Sequence, residues 1–207
     1  MGRPAKMTDS DVLDVTYQLI WQRGCDDVTI RDLEDALELR APSIYRRFGS
    51  RDELLAAAID RYVERVVQAR ITRFLDDAID PIQGIREFFL SVVKVPPGAA
   101  NAPGCLLTTT SQQSVREVSA IGAAVGRGLE LIEVAFRRTL DRAVGQGHTF
   151  VAPTPEVART LLQSFQGVLV LARCGFDQLD TSVNRTLDAL LMSHRPSPNL
   201  TQGASLS

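Results

Sequence analysis

Thr29-Ile30-Arg31-Asp32-Leu33-Glu34-Asp35-Ala36-Leu37-Glu38-Leu39-Arg40-Ala41-Pro42-Ser43-Ile44-Tyr45-Arg46-Arg47-Phe48 decides how this chain is read. Ile30, Leu33 and Leu37 recur at near-helical spacing, which gives a short helix one apolar face. Thr29 with Asp32 three residues on resembles a capping box, so the helix starts at Thr29. Glu38-Leu39-Arg40 forms the turn, with Leu39 tucked between two helices. Pro42 suits the first turn of the second helix, where its missing N–H has no partner to lose. Ile44 and Phe48, four apart, point inward and leave Ser43, Arg46 and Arg47 outward, with Tyr45 at the edge. Two short helices joined by a tight turn, the second with a polar and basic outer face, form a helix-turn-helix that fits a DNA major groove.

The surroundings extend this reading. From Arg40 to Arg51 there are four arginines (40, 46, 47, 51) and no acid, whereas Asp26 to Glu38 holds six acids against Arg31 alone. Phosphates respond to the nearby field, so the local positive patch outweighs the formal net charge of -2. Gly2-Arg3-Pro4-Ala5-Lys6 is a short basic arm of the kind that reaches a minor groove or a phosphate, and it brings Arg3 and Lys6 into the DNA-contacting set. Asp9 to Arg23 is an amphipathic helix that turns Val12, Leu13, Thr16, Leu19 and Ile20 inward and stops at Gly24. Ser50 and Glu53 are expected to form a second capping box, starting a further helix with Arg51 near the DNA backbone.

With Thr29-Ile30-Arg31-Asp32-Leu33 and Pro42-Ser43-Ile44-Tyr45-Arg46-Arg47-Phe48-Gly49-Ser50-Arg51-Asp52-Glu53-Leu54-Leu55, the first sixty or so residues resemble the TetR family of transcriptional repressors. The resemblance implies an all-α protein. Residues 1–54 would form a three-helix DNA-binding domain and residues 55–194 a helical ligand-binding and dimerisation domain, while the Pro, Ser, Asn and Gly content of residues 195–207 reads as a disordered tail. The resemblance also implies that Tyr45 and Arg51 touch the DNA backbone and that Arg40, Ala41, Pro42, Ser43 and Arg46 face bases. Thr29 and Arg47 complete the expected contact set. Two positions depart from the family pattern: Glu38 stands where the turn glycine is usual, and Arg40 where a small hydroxyl cap is usual. A non-glycine residue at that turn requires a less common backbone conformation.

Other functions find little support. There are two histidines, His148 in a Gly-flanked turn and His194 beside the tail, and neither has a catalytic partner set. The chain has no nucleophile elbow, phosphate-cradling glycine loop or metal spacing, so it reads as a non-enzyme without cofactor or metal. No apolar run approaches the roughly 20 residues that span a membrane. Asp9, Asp11 and Asp14 stand where a signal peptide would be apolar, so the expected location is the cytoplasm, at the nucleoid. Cys25, Cys105 and Cys174 are too scattered for a disulfide framework. Lys6 and Lys94 are the only lysines among 23 basic residues, an arginine bias best read as genomic.

The remainder reads as helices: Leu54 to Phe74; a segment opened by Asp80-Pro81 and closed by Pro96-Pro97-Gly98; Gln112 to Gly145; one started by Thr154-Pro155-Glu156; and Asp180 to Ser193. By resemblance the last two pair with their copies in a homodimer, through Leu161, Phe165, Val168, Leu169, Leu187, Leu190 and Leu191. A two-fold reader matches a palindromic operator of double-stranded DNA. The resemblance also implies a small-molecule pocket, for which Phe74, Phe88, Phe89, Leu106, Leu107, Thr110, Phe165 and Arg173 are the candidate lining. That lining suggests a hydrophobic or aromatic inducer. Cys105 begins a helix, where unpaired N–H groups favour a thiolate, which opens an alternative reading as a thiol or electrophile sensor. A DNA-binding architectural protein without ligand is the other alternative.

Overall fold

The computed structural model describes residues 7–93, 104–113 and 119–191, which form helices with no strand among them. The arm with Arg3 and Lys6, the loop expected around Pro96-Pro97-Gly98 and the tail expected at 195–207 lie outside the described residues. The head consists of α1 (Asp9–Arg23), α2 (Ile30–Leu37) and α3 (Ala41–Phe48). Both α1 and α2 begin with full capping boxes, Thr8 with Asp11 and Thr29 with Asp32. Each box satisfies N–H groups that the first turn cannot pair. Val12, Ile20, Val28, Leu33, Leu37, Ile44 and Leu54 are sealed at its centre.

A continuous helical rod connects the head to the rest. It consists of α4 (Arg51–Tyr62), a π turn (Val63–Val67), the short α5 (Gln68–Ile71) and a second π turn (Thr72–Asp76). The expected helix 54–74 is therefore present, longer at both ends and twice widened. Its last carbonyls do not go unpaired: Arg142 donates to the oxygens of Leu75, Asp76 and Ala78 at 2.8–3.0 Å. The second capping box is only half formed. Ser50 Oγ accepts from the Glu53 N–H at 3.1 Å, while the Glu53 carboxylate lies against Gly49 instead of returning to Ser50.

The helical domain adds α6 (Pro81–Val93), α7 (Leu106–Ser111), α8 (Ala120–Gly145), α9 (Thr154–Arg173) and α10 (Leu179–Leu191). Asp80 caps α6 through the N–H groups of Ile82 and Gln83. The helix expected over 112–145 is corrected: Gln112 closes α7, and α8 starts at Ala120, capped by Ser119. Helical period alone reads across such a break because apolar residues on both sides share one spacing. Phe88, Phe89, Phe136 and Phe165 form the centre, with ring centroids 4.9–6.3 Å apart in tilted and edge-on pairs.

This core corrects the expected dimer face. Leu161, Phe165, Leu169, Leu187 and Leu191 are buried within their own chain, at 0–4% exposure. Only Val168 and Leu190 remain half-exposed. Apolar spacing marks a face as buried but does not say whether the covering surface comes from the same chain or from a second copy. Here α6 and α8 supply it. The apolar residues expected to line a pocket are packed against one another. Phe88, Phe89, Leu106, Leu107, Thr110 and Phe165 are sealed in the core and Phe74 is half-buried, packed edge-on to Phe88. Arg173 is exposed at the end of α9.

Candidate nucleic-acid interface

The turn between α2 and α3 shows how a departure from the usual residues is accommodated. Glu38 adopts the left-handed conformation, with φ 51° and ψ 33°. A non-glycine residue there costs about 1 kcal/mol, because Cβ crowds the following carbonyl. Its N–H still reaches Glu34 O, and Leu39 N–H reaches the same carbonyl at 3.3 Å. Arg40 occupies the cap position of α3 and makes no side-chain cap bond. Glu34 replaces it: its carboxylate accepts the Ala41 N–H at 2.7 Å, from a residue seven positions back. The turn therefore keeps a helix-turn-helix course, and a negative charge sits at the positive end of α3.

Four arginines in the segment 40–51 looked equivalent in sequence and are not. Arg47 turns back onto α1, where Nε donates to Asp9 Oδ1 at 2.8 Å and Nη2 to the Met7 carbonyl at 3.3 Å. Arg51 turns onto the α1–α2 loop. Its Nε donates to Val28 O at 2.6 Å, Nη2 to Cys25 O at 2.8 Å, and Nη1 to Asp52 at 2.7 Å. Arg47 and Arg51 thus hold the head together. Arg40 and Arg46 are exposed, with Arg46 Nη2 3.1 Å from Ser43 Oγ. Tyr45 is 43% exposed, large for an aromatic ring, and Pro42 is exposed beside it. Ala41 and Ser43 are half-exposed. The outer face of α3 therefore presents Arg40, Pro42, Ser43, Tyr45 and Arg46 together, while Ile44 is sealed beneath at 0%. Thr29 stands at the start of α2, its hydroxyl committed to Asp32.

How the head is fastened to the helical domain was not legible from local pattern. Tyr17 and Trp21 of α1 pack edge-on to Tyr62 of α4, with centroids 6.0 and 5.5 Å away. Arg61 reaches Asp14 at 2.8 Å. The α7 segment then staples both. Trp21 Nε1 donates to Gly104 O at 2.9 Å, and Gln113 Oε1 accepts the Cys25 N–H at 2.7 Å. Between these two staples, Leu106 N–H donates to Tyr62 Oη at 3.4 Å, and that hydroxyl lies 3.7 Å from Cys105 Sγ. Thr108 donates to Gln166 of α9 at 2.7 Å. One short helix thus touches the head, the rod and α9. The only signal in the sequence was that Trp21 is the sole tryptophan. Burial pushes the Cys25 thiol up to about 11, which suits a structural cysteine; Cys105 is half-buried and Cys174 exposed.

Known proteins carry the same arrangement. The family described as bacterial regulatory proteins, tetR family, matches residues 12–58, the span from α1 into α4. The HTH-type transcriptional repressor ComR of Escherichia coli is 25% identical over 117 residues, 55% of this chain and 56% of ComR. The HTH-type transcriptional regulator YezE of Bacillus subtilis is 24% identical over 194 residues, 92% of this chain and all of YezE. Among solved structures, a cysteine mutant of the TetR family transcriptional regulator CifR, complexed with 26bp double-strand operator DNA, superimposes with a TM-score of 0.75. It is 24% identical, and the match covers 91% of this chain and 100% of that one. The capped helix pair, its outward face and the helical domain behind it agree: residues 12–58 carry the helix-turn-helix of the tetR family of bacterial regulatory proteins, and the chain has a TetR-like fold with a DNA-binding head.

Proposed function

We propose that this regulator is a homodimeric repressor that binds a palindromic operator through α3 and is released by a small ligand taken up in the helical domain. The observation that carries the DNA reading is the sorting of side chains on α3. Arg40, Pro42, Ser43, Tyr45 and Arg46 face outward on a helix whose inner side is fixed by Ile44 and Arg47. Arg46 and Ser43 read base edges, and Tyr45 holds the phosphate backbone. Arg51 serves that backbone contact chiefly by fixing the loop before α2. Arg3 and Lys6 add an arm, and Thr29 approaches a phosphate at the start of α2. CifR, similar in fold, was solved on operator DNA, and ComR is a repressor, which supports both halves of the reading.

The dimer face we assign lies on what α9 and α10 leave uncovered: Gly167, Val168 and Leu171 on one and Leu190 on the other. Symmetric pairing there would set two copies of α3 about 34 Å apart, one turn of DNA. Coupling runs through α7, because a ligand that displaces this helix must disturb both Trp21 and Gln113. A ligand releases DNA only by favouring the released state over the bound one.

The test is selection of duplexes from a random pool, followed by anisotropy titration at two salt concentrations. A palindromic winner bound far more tightly than random DNA supports the reading. Binding without preference that vanishes as salt rises refutes it and leaves an architectural DNA-binding protein. Cys105 supports a second reading, a thiol-responsive regulator, because Sγ touches the hydroxyl that holds Leu106. Alkylation by iodoacetamide would then release the operator from the native protein and not from Cys105→Ser.

A further inference from the structure

Arg70 is the residue for which the fold gives least account. It lies on α5, half-buried, with its guanidinium carbon 4.9 Å from the Phe88 ring centroid and 5.6 Å from that of Phe165. Nη2 donates to Phe88 O at 3.0 Å and to Ser91 Oγ. Its Nε is sealed from solvent and has no acceptor, and no carboxylate pairs with it among the described residues. Burial lowers its pKa from the ordinary arginine value, opposed by the charges that Cys105 and Tyr62 can carry. Cations in such places are normally paired, because the interior does not replace lost hydration.

Two further polar atoms are buried without partners among the described residues. Gln166 Nε2 follows Phe165 on α9, and its amide is fixed because Oε1 accepts from Thr108. Thr110 Oγ1 is on α7, in a residue 1% exposed. The nitrogens are donors by chemistry, and a hydroxyl can donate. A buried surface with unmet donors and a bare positive charge, lined by aromatic rings, is complementary to an acceptor-rich anion with an apolar body.

We propose that the face formed by Arg70, Phe88, Phe165 and Gln166 is the binding site of a small organic carboxylate. Its charged group pairs with Arg70 Nε and Nη, Gln166 Nε2 donates to a further oxygen, and its hydrocarbon body lies on the two rings. A guanidinium holds a carboxylate by two parallel bonds, which supplies both charge and orientation. Arg70 keeps part of its surface open, so an anion reaches it from solvent before the rings rearrange. This site deepens the ligand-release reading and rests on it, since it names the chemistry of the effector.

The experiment is thermal melting of the full chain in low-chloride buffer, titrated with benzoate, hexanoate and benzamide, a neutral amide close in shape to benzoate. A saturable rise in melting temperature with benzoate or hexanoate, and none with benzamide, is expected. Arg70→Gln should melt no lower than the native protein without ligand and should lose the response; Arg70→Lys should keep a response weakened about tenfold. Equal shifts with benzoate and benzamide, an undiminished response in Arg70→Gln, or no saturable response to either carboxylate overturns the site. Operator anisotropy in the same titrations separates the two readings: carboxylate binding without DNA release leaves the site standing and removes the effector role.

Discussion

The arginines of the head and the arginine of the helical core are treated in opposite ways. Arg47 and Arg51 are bound to carbonyls and carboxylates: Arg47 ties α3 to the start of α1, and Arg51 ties the start of α4 to the α1–α2 loop. Arg70 is more deeply enclosed than a surface residue and, among the described residues, has no carboxylate and keeps Nε unbonded. The head is complete as it stands, which is what a rigid reader of DNA needs: its register on the groove must not depend on what else is bound. The core carries unmet donors, which a packed interior does not retain without cost. Completeness at one end and deficit at the other are joined by α7, whose segment touches both the head and α9.

Substitutions sharpen this contrast, beginning with the largest effect. Leu187→Arg places an unpaired charge at a sealed position of the core, so the helical domain should unfold, at a cost of about 4 kcal/mol or more. Leu171→Arg, on the uncovered side of α9, should stay folded and become monomeric. Circular dichroism with sedimentation separates the two, and a folded Leu187→Arg dimer would show that the core has been drawn wrongly.

Arg51→Ala should destabilise the head by about 3 kcal/mol, since two carbonyls lose a charged donor. It should weaken binding to all duplexes alike. Arg46→Ala should leave urea denaturation unchanged and flatten base preference at one position by about 1–3 kcal/mol. Equal specificity loss in both variants would erase the distinction drawn between inward and outward arginines.

Smaller effects test the backbone. Glu38→Gly should raise stability by about 1 kcal/mol by relieving the left-handed turn, as read by the denaturation midpoint. Gly126→Ala should gain a similar amount, about 1 kcal/mol, because a methyl group there meets open space. Gly128→Ala should lose stability, since its methyl would meet Leu107 and Val63 within 3 Å. The smallest change concerns acid. Asp11 and Asp32 are held below the ordinary carboxylate range first by the hydroxyls of Thr8 and Thr29, and Asp14 by Arg61. Their contribution is therefore complete above about pH 4 and is lost as pH falls through the lowered values. Thr29→Val should reduce the acid sensitivity of the head in a pH-melting series.

Much of the head could be read without coordinates because its signals are local. A capping box spans three residues, a proline marks a first turn, and Ile44 with Phe48 fixes which side of α3 is inner. The replacement cap could not be read, because Glu34 reaches Ala41 across a turn whose course depends on how α2 and α3 pack. The same holds for the sorting of arginines. Arg46 and Arg47 are neighbours in sequence, and only the position of Asp9 on another helix makes one of them internal. In the helical domain the apolar faces were legible and their partners were not.

By itself, then, the sequence determined the all-helical class, the starts of α2, α3 and α6, the outward face of α3 and the resemblance of the head to the tetR family. These follow from propensity, capping and period, which act within a few residues. Tertiary structure alone decided that Leu161, Phe165 and Leu187 face their own chain, that α7 fastens the head to the rod, and that Arg70 stands beside Phe88 and Phe165. Each of these is a meeting of residues far apart in the chain. Hydrophobic burial is non-directional, so it drives such meetings without specifying the partner; that choice is made when all the helices pack at once.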